Sequence, residues 1–185
     1  MVKTWQLRSS LWVPHTPDVV FPFFAEAKNL QALTPPWLSF EILTPQPVSL
    51  QQGTLIDYRI TVRGFRMRWR TRIASFEPSR RFVDEQIRGP YSVWHHTHTF
   101  TAQDGGTLLT DTVVMRPKGG LLAGLVFSMF VRKDVERIFR YRLQRMAELF
   151  GSKAEFGVVA WESSNVSHRE RQESTTANDL PTTRR

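Results

Sequence analysis

His96 and His98 stand two residues apart in a run, Tyr91 to Thr101, that alternates bulky or ionisable side chains with smaller ones. Successive side chains of an extended strand point to opposite faces, so Trp94, His96, His98 and Phe100 share one face and Val93, His95, Thr97 and Thr99 the other. The first set holds the largest aromatics and is assigned to the interior. By the same parity Leu109, Asp111, Val113 and Met115 face inward from the following run, and Phe82, Asp84 and Gln86 from the preceding one. Two imidazoles, two carboxylates and a carboxamide are thereby brought among Trp69, Trp94 and Phe100. Buried ionisable groups are costly unless paired, which predicts a pair between His96 and Asp111 and another between His98 and Asp84 or Gln86. A histidine held by a carboxylate can transfer protons near neutral pH. It can equally orient one end of a ligand, or only tie strands together, and the residues leave all three roles open.

Other chemistries find less support. His96 and His98 lie about 7 Å apart along a strand and could share an ion with Asp111. Together with His95, however, they match no established zinc spacing, so no metal and no cofactor is expected. There is no Gly-x-Ser-x-Gly elbow and no glycine-rich phosphate loop. Arg66, Arg68, Arg70 and Arg72 form a one-sided row, opposite Trp69 on their strand. That row could meet phosphates, an acidic partner or a second subunit. Stacking aromatics are not interleaved on its face, so nucleic acid is not expected.

The elements that must position these groups follow from periodicity. Trp5, Leu7, Ser9, Leu11 and Val13 alternate as a first strand, and Pro14 and Pro17 end it. Val20, Phe21, Phe23 and Phe24 give one short helix, Leu30 and Leu33 a second, stopped by Pro35-Pro36. Phe40 to Leu43 begins a series of strands, with Gly64 and Asp104-Gly105-Gly106 as tight turns. Strands joined by such short turns make an antiparallel meander, hence an α+β fold. After Gly119-Gly120 comes one long helix, about Leu122 to Phe150, with Val131, Val135, Phe139, Leu143, Met146 and Phe150 at helical spacing and Gly151 as its stop.

The chain has 185 residues, 41% apolar and 23% charged, enough for one packed domain. It has no cysteine, which removes disulfides and thiolate chemistry. The net charge of +8 resides in residues 1–150, because residues 151–185 hold equal numbers of acidic and basic groups. Residues 151–185 are expected to be a disordered tail, since Ser163 to Arg185 has almost no large apolar residues. No signal peptide is evident at the start, and a cytoplasmic location is expected. Leu121 to Val131 is the longest apolar run, too short for a bilayer span of about 20 residues. Beside the basic stretch Arg132 to Arg145, it could touch an anionic membrane or line a cavity mouth. The stiff loop Leu33 to Leu38, carrying Trp37, could rim the same cavity.

Several local motifs, taken in this order of elements, resemble one family. They are Asn29-Leu30 through Leu33-Thr34-Pro35-Pro36, Gly53, Phe82-Val83-Asp84-Glu85-Gln86 with Gly89-Pro90-Tyr91, then Trp94, His96, His98 and Phe100, Gly106-Thr107, Thr110-Asp111, Pro117 and Ile138 to Arg142. Over about residues 4–150 the chain resembles the SRPBCC superfamily, the helix-grip fold of START, Bet v 1 and polyketide-cyclase proteins, and within it the small bacterial cyclase/dehydrase-like proteins. The resemblance implies a curved antiparallel sheet of six to seven strands around the long C-terminal helix, with two short helices after strand 1. It also implies a cavity for a lipophilic or aromatic small molecule. The residues expected at that cavity are Trp69, Phe82, Asp84, Gln86, Trp94, His98, Phe100, Met115, Phe127 and Val131, with His96 and Asp111 as the proton-transfer pair. The alternatives are a cyclase, dehydrase or aromatase using His96 and Asp111, and a peripheral membrane lipid carrier. The fold hosts carriers, enzymes and sensors alike, so the ligand, any reaction and the oligomeric state stay open.

Overall fold

The structure, a computed structural model, describes residues 3–119, 130–152 and 160–165. Strand β1 (Lys3–Val13) leads into helix α1 (Pro17–Phe24), then two 3₁₀ turns, Ala27–Leu30 and Pro36–Leu38. The series β2 (Glu41–Ile42), β3 (Leu55–Val62), β4 (Phe65–Glu77), β5 (Arg81–Arg88), β6 (Tyr91–Gln103) and β7 (Gly106–Pro117) follows, then helix α2 (Arg132–Phe150) and β8 (Ala160–Asn165). All strands form one curved antiparallel sheet in the order β2-β3-β4-β5-β6-β7-β1-β8, the helix-grip arrangement expected.

The meander is closed by turns that glycine makes cheap. Val62 pairs with Phe65, leaving Arg63 and Gly64 as a two-residue loop with φ of 51° and 83°. Gln103 pairs with Gly106 around Asp104 and Gly105, at 50° and 73°. Positive φ at both central residues is the type I′ geometry whose twist matches that of the flanking strands. Pro17 stands in the first turn of α1, where Thr16 accepts through its carbonyl from the Val19 and Val20 N–H groups. The Thr16 side chain makes no cap. The second short helix is only the 3₁₀ turn Ala27–Leu30.

Helix α2 ends at Gly151, in the left-handed region at φ 66°, with its N–H bonded to the Ala147 carbonyl. One face of the helix buries Val135, Phe139, Arg142, Leu143 and Met146. Leu143 and Met146 join a core with Phe21, Phe24, Phe82 and Phe100, while Val135 and Phe139 join a second with Trp5, Trp69, Tyr91 and Met115. The helix thus clamps both ends of the sheet's inner face. Each such buried apolar side chain contributes about 1.5–3 kcal/mol. The start of the helix expected from Leu122, and Phe127 with it, lies outside the described residues.

Two features differ from the sequence expectation. Part of the segment read as a tail forms β8, pairing antiparallel with Lys3–Arg8 of β1 and adding an eighth strand. Strand pairing draws on backbone groups and does not need the apolar alternation sought in the sequence. A register shift between Ile73 and Ser75 on β4 also reverses side-chain parity, so Phe76 packs on Phe21 and Phe82.

The arginine row Arg66, Arg68, Arg70 and Arg72 is exposed on the outer face, as parity required. Arg70 pairs with Asp57 at 2.8 Å, Arg72 with Glu85 at 3.0 Å, and the neighbouring Arg59 with Glu41 at 2.6 Å. Exposed pairs of this kind add little to stability, because water and salt screen them. Among the described residues no helix is long and apolar enough to cross a membrane.

Candidate functional site

Between the inner face of the sheet and α2 lies a cavity of about 700 Å³. Ile56, Tyr58, Ile60, Met67, Trp69 and Ile73 wall it from β3 and β4, Val135, Ile138 and Phe139 from α2, and Leu33 and Leu38 from the loop after α1. Tyr58 stacks on Trp69 at 5.9 Å, and Trp94 meets Trp69 edge-on at 5.2 Å. The polar ends of this aromatic wall are satisfied internally. The Trp69 indole N–H donates to Thr71 Oγ1 at 3.1 Å, and the Tyr58 hydroxyl is 3.2 Å from the same oxygen. Burial, reinforced by the Asp84 charge, pushes the Tyr58 phenol well above its ordinary pKa, so it stays neutral.

Apart from the Arg63–Asp134 pair and Lys118, the ionisable lining is gathered in one patch. His96, His98 and Asp84 all line the cavity, with Arg142 beside them. The register sets His98 opposite Asp111 across β6 and β7, and His96 opposite Asp84 across β5 and β6. Each imidazole reaches both carboxylates. His96 Nε2 donates to Asp111 Oδ1 at 3.2 Å, and its Nδ1 is 3.4 Å from Asp84 Oδ2. His98 Nε2 donates to Asp84 Oδ2 at 2.9 Å, and its Nδ1 is 2.7 Å from Asp111 Oδ1. Arg142 Nε in turn donates to Asp111 Oδ2 at 3.0 Å. His98 lies between Phe82, stacked at 4.1 Å, and His96 at 3.8 Å.

These contacts set the charges. Burial alone would raise the Asp111 pKa, but Arg142 and His98 outweigh it and hold the carboxyl well below its usual range. Asp84 is lowered in the same way, burial being outweighed by His96, His98 and Arg142. Burial and then the neighbouring His98 push His96 down, whereas for His98 the two carboxylates outweigh burial and push it up. These directions favour ionised Asp84 and Asp111 and a protonated His98 beside the Arg142 guanidinium, with His96 favoured in its neutral form. Two negative and two positive charges balance, which makes their burial tolerable.

A match over residues 13–140 to the model of the polyketide cyclase / dehydrase and lipid transport family settles the lineage. The chain belongs to this family. Solved structures agree with that placement in the SRPBCC superfamily at the level of fold. Protein CV1439 from Chromobacterium violaceum superposes with a TM-score of 0.60 at 16% identity, over 78% of this chain and 96% of that one. TTHA0849 from Thermus thermophilus gives 0.57 at 19%, over 80% and 99%. The ginseng major latex-like protein 151 from Panax ginseng gives 0.57 at 10%, over 80% and 97%. A comparison with curated protein sequences finds no match. The polyketide cyclase / dehydrase and lipid transport family and its fold are consistent with binding a lipophilic ligand.

Within this member of the polyketide cyclase / dehydrase and lipid transport family, Trp69, Phe82, Asp84, Trp94, His96, His98 and Val131 line the cavity. Gln86, Phe100, Asp111 and Met115 do not. Gln86 instead closes the β5–β6 turn, donating to the Tyr91 carbonyl at 2.6 Å and accepting from its N–H at 3.2 Å. Gly89 makes room for that clasp, because a Cβ there would fall 2.2 Å from Gln86 Oε1. Phe100 is enclosed by Phe21 and Phe24, and Met115 is fully buried in the second core. Asp111 sits one layer behind the histidines. Phe127 lies outside the described residues. Trp37 points away from the cavity, edge-on to Tyr141 at 5.4 Å under the Arg137 guanidinium at 4.2 Å. Arg142 was not among the site residues expected from the sequence, where it stood only in the basic stretch and at the end of the motif Ile138 to Arg142. Its position was available, since it falls three residues after Phe139 and four before Met146, on the apolar face of the helix.

The charge pattern predicts a stability optimum. His98, raised from its ordinary 6.5, contributes stability that is fully present below pH 6.5 and lost as pH rises through its folded value. His96, lowered from 6.5, stays neutral in the fold while the unfolded chain takes up a proton, so stability falls as pH drops through 6.5. The carboxylates, lowered from 3.8, add a further loss in stronger acid. The cluster's contribution should therefore peak near pH 6.5. Urea midpoints from about pH 4 to pH 9 check this, and His98→Gln should flatten the alkaline limb. A wild type that gains stability steadily above the peak, or an alkaline limb unchanged in His98→Gln, counts against these assignments.

Proposed function

We propose that this protein binds a lipophilic or aromatic small molecule in the cavity between sheet and helix, with one polar end of the molecule at the His96, His98 and Asp84 patch. The observation that carries the reading is the contrast within the cavity. About 700 Å³ is walled mainly by apolar and aromatic side chains, with Asp84, His96, His98 and Arg142 gathered on one stretch of wall and the Arg63–Asp134 pair and Lys118 elsewhere on the lining. Apolar burial would supply affinity at roughly 25 cal/mol per Å², and the patch would fix orientation.

A second reading is favoured by one detail, two imidazoles bordering the cavity with ring centroids 3.8 Å apart, His96 pushed towards its neutral form and His98 towards its protonated form. A bound carbonyl compound could exchange protons there, as in a cyclase or dehydrase, with Asp111 positioning His96 rather than touching substrate. The lipid-carrier reading rests mainly on Leu121 to Met129, which lie outside the described residues.

Tryptophan emission gives a direct test, because Trp69 and Trp94 line the cavity. Titration with a panel of apolar and aromatic compounds should quench or shift emission for a subset. The same compounds should raise Tm, by about 2.7 kcal/mol of added stability at a hundredfold excess over Kd. Ile138→Trp, which fills the cavity from the helix, should weaken binding at least tenfold. Absence of any emission change or Tm shift across the panel, together with no hydrophobic molecule in native mass spectra of freshly purified protein, would refute the proposal.

A further inference from the structure

The ionisable patch holds a second pattern, independent of what fills the cavity. Asp84, His96 and His98 each present one ligand atom, and these atoms all lie within 4.8 Å of one another. Asp84 Oδ2 is 2.9 Å from His98 Nε2 and 3.4 Å from His96 Nδ1. Neighbouring ligand atoms around a tetrahedral ion with bonds of 2.0–2.1 Å are separated by about 3.3 Å. The observed separations bracket that edge.

The orientation of the rings is the stronger sign. Each histidine directs one nitrogen towards Asp84 and the other towards Asp111 Oδ1, at 3.2 Å for His96 Nε2 and 2.7 Å for His98 Nδ1. Asp111 is fixed in turn by Arg142 Nε at 3.0 Å. A carboxylate holding the far nitrogen of a ligating imidazole is the usual support of a metal-bound histidine, because it sets the tautomer and the ring plane. Here one carboxylate serves two rings. Asp84, His96 and His98 line the cavity, as does Arg142, while Asp111 does not, which suits Asp111 to the supporting role.

We infer that Asp84, His96 and His98 form a binding site for one divalent transition-metal ion of the zinc type at the cavity wall, with Asp111 and Arg142 as its supporting layer. The sequence had offered Asp111 as the carboxylate ligand. The structure assigns that place to Asp84 and moves Asp111 behind the rings. Two imidazoles and a carboxylate are a borderline donor set suited to Zn2+, Co2+ or Fe2+ rather than to Mg2+ or Ca2+. Three protein ligands leave a fourth position, directed into an apolar space, for water or for a ligand carbonyl or hydroxyl.

The full, tag-free chain, stripped with chelator, is titrated with Zn2+ by calorimetry and with Co2+ by visible absorption. One equivalent should bind, and Co2+ should develop the intense bands of a four- or five-coordinate site. Asp84→Asn or His96→Gln should weaken Zn2+ binding at least a hundredfold, and Asp111→Asn by about 10- to 100-fold with altered Co2+ bands. A triple variant His15→Ala, His95→Ala, His168→Ala should keep the full equivalent. Far-ultraviolet dichroism monitors folding, and should Asp111→Asn fail to fold, the wild type and Asp84→Asn still decide. Overturning results are wild-type binding no tighter than that of Asp84→Asn, one equivalent persisting in both Asp84→Asn and His96→Gln, or loss of the site in the triple variant. Emission titrations with apolar compounds in metal-free protein report separately on the cavity, so either idea can fail alone.

Discussion

Replacing Arg142 with methionine should destabilise the protein by about 3–5 kcal/mol, the usual cost of removing one partner from a buried ion pair. Arg142 is 8% exposed, and its guanidinium holds Asp111 at 3.0 Å and lies over the Phe24 ring at 5.8 Å. Methionine fills much of the volume but leaves two buried carboxylates facing one protonated histidine. Against a total of about 5–15 kcal/mol for ordinary domains, that is a large fraction. Lysine should rescue only part, because a point charge does not reproduce the planar fork. The informative control is the double variant Arg142→Met with Asp111→Leu. Removing both charges should recover stability relative to Arg142→Met alone, since the cost lies in the orphaned carboxylate. Urea unfolding measures all four species. A loss under about 1 kcal/mol in Arg142→Met would mean that the cluster is not electrostatically closed as described.

Phe139→Ala should also cost several kcal/mol, with a different signature. Large-to-small changes at buried phenylalanine cost about 3–5 kcal/mol, combining lost transfer energy with the void left behind. Phe139 is 4% exposed, belongs to the second core and meets the His96 ring edge-on at 5.6 Å. One of its sides already borders the cavity, so fewer contacts are lost and the lower end, about 3 kcal/mol, is expected. The space released joins the existing hollow. The variant should therefore accept bulkier aromatic compounds than the wild type while melting at lower temperature. Parallel melting curves with the same compound panel check both effects. A loss below about 1 kcal/mol, or an unchanged size limit, would place Phe139 outside the wall.

Much of this arrangement was legible from residue order because β5, β6 and β7 keep strict alternation over the stretch that carries the site. Parity alone put Phe82, Asp84, His96, His98 and Asp111 on one face, and they are found there. It did not distinguish the layer at the cavity from the layer behind, because that depends on where α2 lies. Arg142 was missed for a related reason. An arginine on an apolar helix face is explicable only once its carboxylate partner is known, and the partner is 31 residues away on another element. Gln86 was misplaced because a nearby turn captured its side chain. Phe76 was not placed from the sequence, and a bulge after Ile73 shifts the alternation that would have placed it. β8 carries too little apolar patterning to stand out as a strand.

That last strand has a practical consequence. The sheet ends on one side in β2, only two residues long, and on the other in β8, which shields Lys3–Arg8. By pairing with Lys3–Arg8, β8 occupies a flank of β1 whose amide and carbonyl groups would otherwise be a template on which extended chains stack and precipitate. A chain trimmed at Gly151, the boundary that composition suggests, would uncover the outer flank of β1. Such a fragment is the one to avoid when material is prepared for crystallisation.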